Sequence, residues 1–445
     1  MPKYQKVLVS EYDDDLKGIV KIGNNLMTIN KVIVGETIDF EIANLKQTTR
    51  IDRYNLSTKS SLRIKAPCAI YDRCGGCSLQ HVQYPEQLRI KTAYVKNLFQ
   101  KELGITSEVL PTIGMNSPMH YRNKSQVSFR YQKGKIISGF YEEGTHDLID
   151  YDDCYLQDEN CNKIIKTIKE LMQKMRLSVY DEDRRTGLIR HVLIKSSQVN
   201  NEIMVVLVVG TELFPGRVNF IKALVARHPH ITTIIQNLNN RKTSAVLGDK
   251  ETIIYGKGYI SDFLCGYKFR ITSKSFYQIN HEQTEKLYKI ALKTANFSET
   301  DTIMDAYCGV GTIGIIASKN VKKVIGVEVV KEAVENAVIN AKQNNIKNVS
   351  FFVDDATNFI VNMARKKERL DGLIMDPPRS GSTPEFLKAV LKLMPLKIVY
   401  ISCNPKTQVA DLKYLLSDYE IVNIQPVDLF PFTSHVESVV MLVRK

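Results

Sequence analysis

The stretch "TIMDAYCGVGTIGIIASK" (302–319) reads as an apolar strand that runs into a glycine turn and opens a helix. Gly309, Gly311 and Gly314 satisfy G-x-G-x-x-G, a spacing that lets the backbone turn sharply and approach a nucleotide-like ligand at a helix N-terminus. Glu328, near the end of the next apolar run "KVIGVEVV" (323–330), stands where an acid hydrogen-bonds ribose hydroxyls. Helix and strand patterns then alternate through "SFFVDDA" (350–356), "DGLIMDPP" (371–378) and "LKIVYISC" (396–403). Strands this continuously apolar are buried on both faces. From about residue 282 onward the chain therefore reads as a doubly wound α/β sheet of Rossmann type.

The glycine turn alone would suit a dinucleotide as readily as S-adenosylmethionine. Two features favour the methyl donor. Asp305 and Tyr307 precede the turn, so an acid and an aromatic line the place where a cationic sulfonium could sit. The fourth strand ends in "DPPRSG" (376–381), which puts Asp376 at the carboxyl edge of the sheet, where ligands bind in such folds. A dehydrogenase has no need of that turn, so a methyltransferase is expected.

The fifth strand ends in "YISCNPK" (400–406), which places Cys403 on the same edge. Packing is the usual fate of a buried cysteine. Methyl transfer to nitrogen or oxygen needs no thiol, but transfer to C5 of a pyrimidine does. That carbon is barely nucleophilic until something adds at C6, and a thiolate both attacks well and leaves well. A base must then remove the C5 proton. "VDLFPFTSHVESVVML" (427–442) supplies two candidates, His435 and Glu437, two residues apart and so on one face if the stretch is a strand.

Upstream, residues 5 to about 55 alternate as short strands separated by Gly18, Gly23 and Gly35, the pattern of a small five-stranded OB-like barrel. A helix is expected at 85–103, packing back on the catalytic part, and another near 158–175, inside a central mixed α+β region. The expected division is 1–58, 59–281 and 282–445. The 445 residues carry 61 Lys and Arg against 48 Asp and Glu, a net +13 that suits a polyanionic partner such as nucleic acid. No secretory h-region opens the chain and no apolar run approaches the ~18 residues of a membrane helix. A cytoplasmic protein with no membrane partner is expected, its eight cysteines serving metal, catalysis or packing.

"CAIYDRCGGCSLQH" (68–81) places Cys68, Cys74 and Cys77 in one loop, with Cys154 far downstream. Four thiolates suit zinc or a [4Fe–4S] cluster, and His81 could replace the fourth in a zinc site. The spacing is not the C-x3-C-x2-C of radical S-adenosylmethionine enzymes. Cys161, Cys265 and Cys308 read as packing. In "MHYRNKSQVSFRY" (119–131), Arg122, Lys124 and Arg130 interleave with Tyr121, Phe129 and Tyr131, as stacking and phosphate contact with single-stranded RNA require. "DRRTGLIRHVLIK" (183–195) adds further cations.

"SFYQIN" (275–280), "DAYCGVGTIG" (305–314), "DPPRSG", "YISCNP" and "DLFPFTSHVESV" (428–439) together resemble the RNA (uracil-5-)-methyltransferase family. The resemblance implies an S-adenosylmethionine-dependent enzyme with Cys403 as C6 nucleophile and Glu437 as base. It implies cofactor contacts at Gln278, Tyr307, Glu328, Asp376, Thr312 and Asp355; relatives often carry Asn at the last two positions, and Asp354 is an acidic neighbour. The cysteine loop resembles that of the 23S ribosomal RNA branch, where Cys68, Cys74, Cys77 and Cys154 would hold [4Fe–4S]. The first residues are similar to a TRAM domain. A monomer acting on 23S ribosomal RNA is implied.

Overall fold

The computed structural model describes residues 3–45, 47–105, 108–243 and 245–445. Among the described residues three large sheets follow one another along the chain, with a two-stranded antiparallel hairpin, Ile260–Leu264 and Tyr267–Ile271, between the second and the third.

The first is six-stranded and curled. Its order is Arg50–Ile51, Asn25–Ile29, Gly18–Ile22, Lys3–Tyr12, Thr37–Glu41, Asn55–Thr58. It closes over its own core of Val9, Val20, Met27, Ile29, Ile38 and Phe40. Five strands were expected from sequence. Six are found, and the two at the rim, Arg50–Ile51 and Asn55–Thr58, are short and mostly polar, so they lack the alternation that announces a strand.

The central sheet has seven strands, in the order Lys250–Gly256, Ile231–Leu238, Ile203–Val209, Ile189–Ser196, Lys124–Gln132, Lys135–Tyr141, Leu148–Asp150. Helices Glu159–Lys174 and Arg217–Arg227 cover one face, burying Ile164, Ile168 and Phe220 against Val192, Val205 and Leu207. From the other face Leu193, Met204, Val206 and Val208 enter a core shared with helix His281–Ala295 and the third sheet. Ile203–Val209 is buried at every position, which explains its unbroken apolar run.

The third sheet also has seven strands, in the order Val349–Val353, Lys323–Glu328, Thr302–Ala306, Gly372–Met375, Lys397–Ser402, Glu437–Arg444, Tyr419–Val427. The first five are parallel and the last two antiparallel. Along Lys397–Ser402 the side chains alternate between two cores: Ile398 and Tyr400 on one side, Val399 and Ile401 on the other. Helix Tyr84–Leu103, ended by Gly104 in the left-handed conformation, packs against this sheet's outer layer through Val95, Leu98 and Phe99. Burial at i, i+3 and i+4 is worth about 1.5–3 kcal/mol for each such side chain, which ties a distant segment to the C-terminal sheet. Among the described residues no helix is long and apolar enough to cross a membrane.

Candidate active site

The carboxyl ends of the third sheet's parallel strands converge on one edge. Thr302–Ala306 delivers Asp305, 1% exposed, whose Oδ2 accepts from Gly314 N at 2.8 Å and so anchors the helix Thr312–Ala317 to the strand. Burial pushes the Asp305 pKa up to about 7. The turn is built from left-handed residues: Tyr307 (φ 64°), Gly309 (φ 55°) and Gly311 (φ 81°). A Cβ at Gly311 would sit 2.7 Å from the Phe351 ring, so only glycine fits there. Glu328 closes the turn, accepting from Gly309 N at 3.1 Å and Val330 N at 2.9 Å.

Of the other residues implied as cofactor contacts, Tyr307 stands in the turn itself, Thr312 opens the helix after it and Asp355 follows the neighbouring strand, while Gln278 lies on a separate loop. Tyr307 donates to Ser382 Oγ at 3.3 Å and packs on Phe386, while Thr312 Oγ1 is 3.4 Å from the Tyr288 hydroxyl. Asp355 caps helix Ala356–Lys366, accepting from Asn358 N at 3.1 Å, and Asp354 accepts from Asp355 N at 2.8 Å. Gln278 is buried on the loop before helix His281–Ala295, and its carbonyl accepts from Asn123 at 2.9 Å. The glycine cradle, its aromatic neighbour and the acid at the second strand's end fit an adenosyl ligand.

Next along the edge come Asp376 and Cys403, each immediately after its strand. The antiparallel return strand Glu437–Arg444 pairs Ser438 with Ser402, which sets Glu437 beside Cys403. Cys403 opens onto a cavity of about 250 Å³ lined also by Tyr94, Arg379, Lys406 and His435. Burial and the neighbouring Glu437 and Asp376 carboxylates push its thiol pKa up to about 11, while Arg379 opposes them by charge and a hydrogen bond. Burial, then the charge of Asp376, holds Glu437 well above the usual carboxylate range. Burial likewise pushes Asp376 up to about 7. Glu437 is 2% exposed, and its Oε2 has no hydrogen-bond partner among the described residues. A buried acceptor without a donor is costly, and the Glu437 carboxyl is near enough to the Cys403 thiol and to Asp376 to act on both by charge. His435 lines the same cavity, but burial and nearby cations hold its pKa down.

Sequence reading missed the groups that brace this edge. Gln408 is buried between the strands carrying Cys403 and Glu437: its Nε2 donates to Tyr400 O at 3.0 Å and Ser438 O at 3.3 Å, and Ser438 Oγ donates back to its Oε1. Asp411 accepts from Ser382 N and from the Tyr400 hydroxyl, both at 2.7 Å, holding the loop after Asp376. Arg379 stands within "DPPRSG" itself, so only its partner was illegible. From the turn between strands Lys3–Tyr12 and Gly18–Ile22, Asp14 and Asp15 line the same cavity, 3.5 and 3.6 Å from Lys406.

Cys68, Cys74, Cys77 and Cys154 line a separate cavity of about 340 Å³. All four thiols are free, and burial pushes Cys77 up to about 12. Among the described residues no three His, Cys, Asp or Glu side chains converge as a metal-binding group. His81 does not line the thiol cavity; it is buried with its Nδ1 2.7 Å from the Tyr71 hydroxyl. Cys161 and Cys308 are buried and Cys265 is partly so.

The basic stretches correct two expectations. Tyr121 and Phe129 are core residues, and only Tyr131, 67% exposed, offers a ring to solvent. A half-buried strand sends alternate side chains inward, and apolar burial claims the large rings first. In the second stretch, Arg190 pairs with Glu182 at 2.7 Å, and Lys195 is spent on the carbonyls of Thr272 (2.8 Å) and Ser275 (2.7 Å).

Residues 83–445 match the tRNA (uracil-5-)-methyltransferase family. The chain is 39% identical over 443 residues to an uncharacterized RNA methyltransferase of Halalkalibacterium halodurans, covering 99% of this chain and 97% of that one. It is 40% identical over 428 residues to one of Clostridium tetani, covering 96% and 93%. The crystal structure of the Pyrococcus abyssi tRNA (uracil-54, C5)-methyltransferase, in complex with S-adenosyl-L-homocysteine, superposes with a TM-score of 0.79 at 28% identity, covering 99% of this chain and 100% of that one. Matched by that family over most of its length and by such relatives almost end to end, the chain is a member of the S-adenosylmethionine-dependent RNA (uracil-5-)-methyltransferase family.

Proposed function

We propose that the protein methylates C5 of a uridine in 23S ribosomal RNA through a covalent bond from Cys403 to C6. The observation that carries this reading is the unpartnered Glu437 Oε2 beside the Cys403 thiol, on the sheet edge that bears the glycine turn. S-adenosylmethionine, when bound, supplies an electrophilic methyl group. The Cys403 thiolate adds to C6, breaking the C5–C6 π bond and leaving an enolate whose C5 takes that methyl. Glu437 removes the C5 proton, the C5=C6 bond re-forms, and Cys403 leaves as thiolate. Gln278, Tyr307, Glu328, Asp376, Thr312 and Asp355 hold the donor. The target uracil must leave its stack to reach the thiol.

The basic net charge supports an RNA partner, and the cysteine loop supports the ribosomal branch. A second reading, transfer RNA, is favoured by a specific observation: the structural relative matched over 99% of this chain acts on tRNA uridine 54. An N-terminal sheet like this one thus does not separate the two. With tritiated-methyl donor and unmodified 23S ribosomal RNA or total tRNA, we expect label in 5-methyluridine from the ribosomal RNA alone. Label from tRNA would keep the chemistry and replace the substrate; label in neither would overturn both.

Three units, divided near residues 58 and 281, compose this reading: a TRAM-like RNA-binding barrel, a central unit and the catalytic unit, in a cytoplasmic monomer. Cys68, Cys74, Cys77 and Cys154 hold a [4Fe–4S] cluster in it, supported by four free thiols that line one cavity. Anaerobically prepared protein should contain iron and acid-labile sulfide in equal amounts. Zinc without sulfide would replace the cluster, and neither metal would remove it.

A further inference from the structure

The segment 428–432 joins the edge strand Tyr419–Val427 to the turn before Glu437, and five consecutive carbonyls in it are taken up by groups from elsewhere in the chain. Asp428 O accepts from Gln283 Nε2 at 2.9 Å and Leu429 O from Asn280 Nδ2 at 3.0 Å. Phe430 O accepts from Lys91 Nζ at 3.2 Å and Pro431 O from the Tyr121 hydroxyl at 3.2 Å. Phe432 O accepts two amides of the cysteine loop, Ser78 N at 3.0 Å and Leu79 N at 2.9 Å.

The side chains repeat the pattern. Lys91 and Asp428 form an ion pair at 2.6 Å with both side chains 0% exposed, and Tyr84 donates to the other carboxylate oxygen at 2.9 Å. A fully buried pair adds little net stability, but it tolerates only one geometry, because either charge left alone is strongly destabilising. Phe432 adopts a left-handed φ of 67°, a strained conformation for a residue with a Cβ. Its ring is buried in one cluster with Tyr121 and Leu156, against which Cys77 and Cys154 pack. Its amide donates to Gln87 Oε1 at 3.1 Å.

We propose that this strap sets the position of Glu437, with Phe432 the joint through which the cysteine loop acts on the base, so that Phe432 and Lys91 are positioning residues for removal of the C5 proton. The proposal rests on the reading of Cys403 as nucleophile and Glu437 as base. It separates two halves of the reaction. Among the described residues none of the five strap carbonyls bonds the strands that carry the glycine turn and Cys403, and the strap meets the Gln278 loop through Leu429 and Asn280 and not through Phe432, so cofactor binding and thiol addition proceed when the strap is loosened at Phe432. Proton removal and release of Cys403 do not.

Phe432→Ala and Phe432→Leu would be compared with wild type on unmodified RNA for turnover, S-adenosylhomocysteine affinity and covalent protein–RNA adduct on a denaturing gel. For Phe432→Ala we expect turnover to fall about ten- to a hundredfold, as misplacing a group by about 1 Å does. Adduct should accumulate, cofactor affinity should stay within about twofold of wild type, and Phe432→Leu should restore most of the rate. Unchanged turnover, or turnover lost without adduct and in step with cofactor affinity, overturns the proposal. If Phe432→Ala does not fold, Tyr121→Phe, which removes one hydrogen bond to the strap, decides: a longer adduct lifetime supports it and an unchanged one overturns it. Failure of the underlying reading looks different, because wild-type protein would then form no adduct with 5-fluorouridine RNA.

Discussion

Cys403→Ala is expected to lower methyl transfer by about four orders of magnitude or more, the scale of losing a covalent nucleophile. It should also abolish the adduct that wild-type protein forms with 5-fluorouridine RNA and S-adenosylmethionine. In that substrate fluorine replaces the proton to be removed, so the reaction stops after methylation with the Cys403–C6 bond intact. The wild-type pH dependence follows from the thiol's surroundings. Its pKa is pushed up to about 11 by burial and by Glu437 and Asp376, so thiolate is the minor form near neutrality. Below that pKa each unit of pH raises the thiolate fraction ~tenfold, and adduct formation should rise with pH accordingly. Persistent adduct in Cys403→Ala would move the nucleophile elsewhere. An adduct rate that falls with rising pH would contradict thiolate attack.

Glu437→Gln should act on the opposite end of the reaction. Thiol addition and methyl transfer precede proton removal, so this variant should accumulate covalent adduct on ordinary RNA while turnover falls by about two to four orders of magnitude, the usual contribution of a general base. The fold should not suffer. Burial holds the Glu437 carboxyl well above its ordinary range, and an uncharged amide of the same shape carries no ionisation penalty in that site. Thermal unfolding at least as late as wild type is expected, alongside the blocked release. Loss of activity with no adduct would assign the base role to another group, and His435 in the same cavity would be the one to test.

The two variants also interpret each other. Cys403→Ala placed on Glu437→Gln should erase the adduct, since the other thiol on that edge, Cys308, is buried beside the glycine turn and burial holds its pKa well above the ordinary range. The brace formed by Gln408 keeps both strand ends in register in either variant, because its hydrogen bonds go to Tyr400 and Ser438 and not to the substituted residues.

Much of the site was legible from short windows. Asp305, Glu328, Asp376 and Cys403 each stand at the end of an apolar run, and parallel strands in one sheet must present all such ends on one edge. The glycines that set the turn are also local, because Gly309 and Gly311 take the left-handed conformation that glycine adopts most readily, and Gly311 has no room for a Cβ. The interleaved cations and rings of 119–131 misled for an equally physical reason. A strand's alternation tells which residues share a face, but not which face meets water, and here Tyr121 and Phe129 went inward.

The sequence by itself therefore determined the architecture of the catalytic half and the chemical types at its edge, since strand, turn and helix are settled by near neighbours. Tertiary structure alone decided that Glu437, on an antiparallel return strand, is held beside Cys403 through the pairing of Ser438 with Ser402. It alone left one Glu437 carboxyl oxygen without a donor among the described residues, gave Arg379 its thiol, and tied the cysteine loop to the strap before Glu437 through Phe432. These depend on partners far apart in the chain and on desolvation, and a buried charge is created only when distant segments close over it.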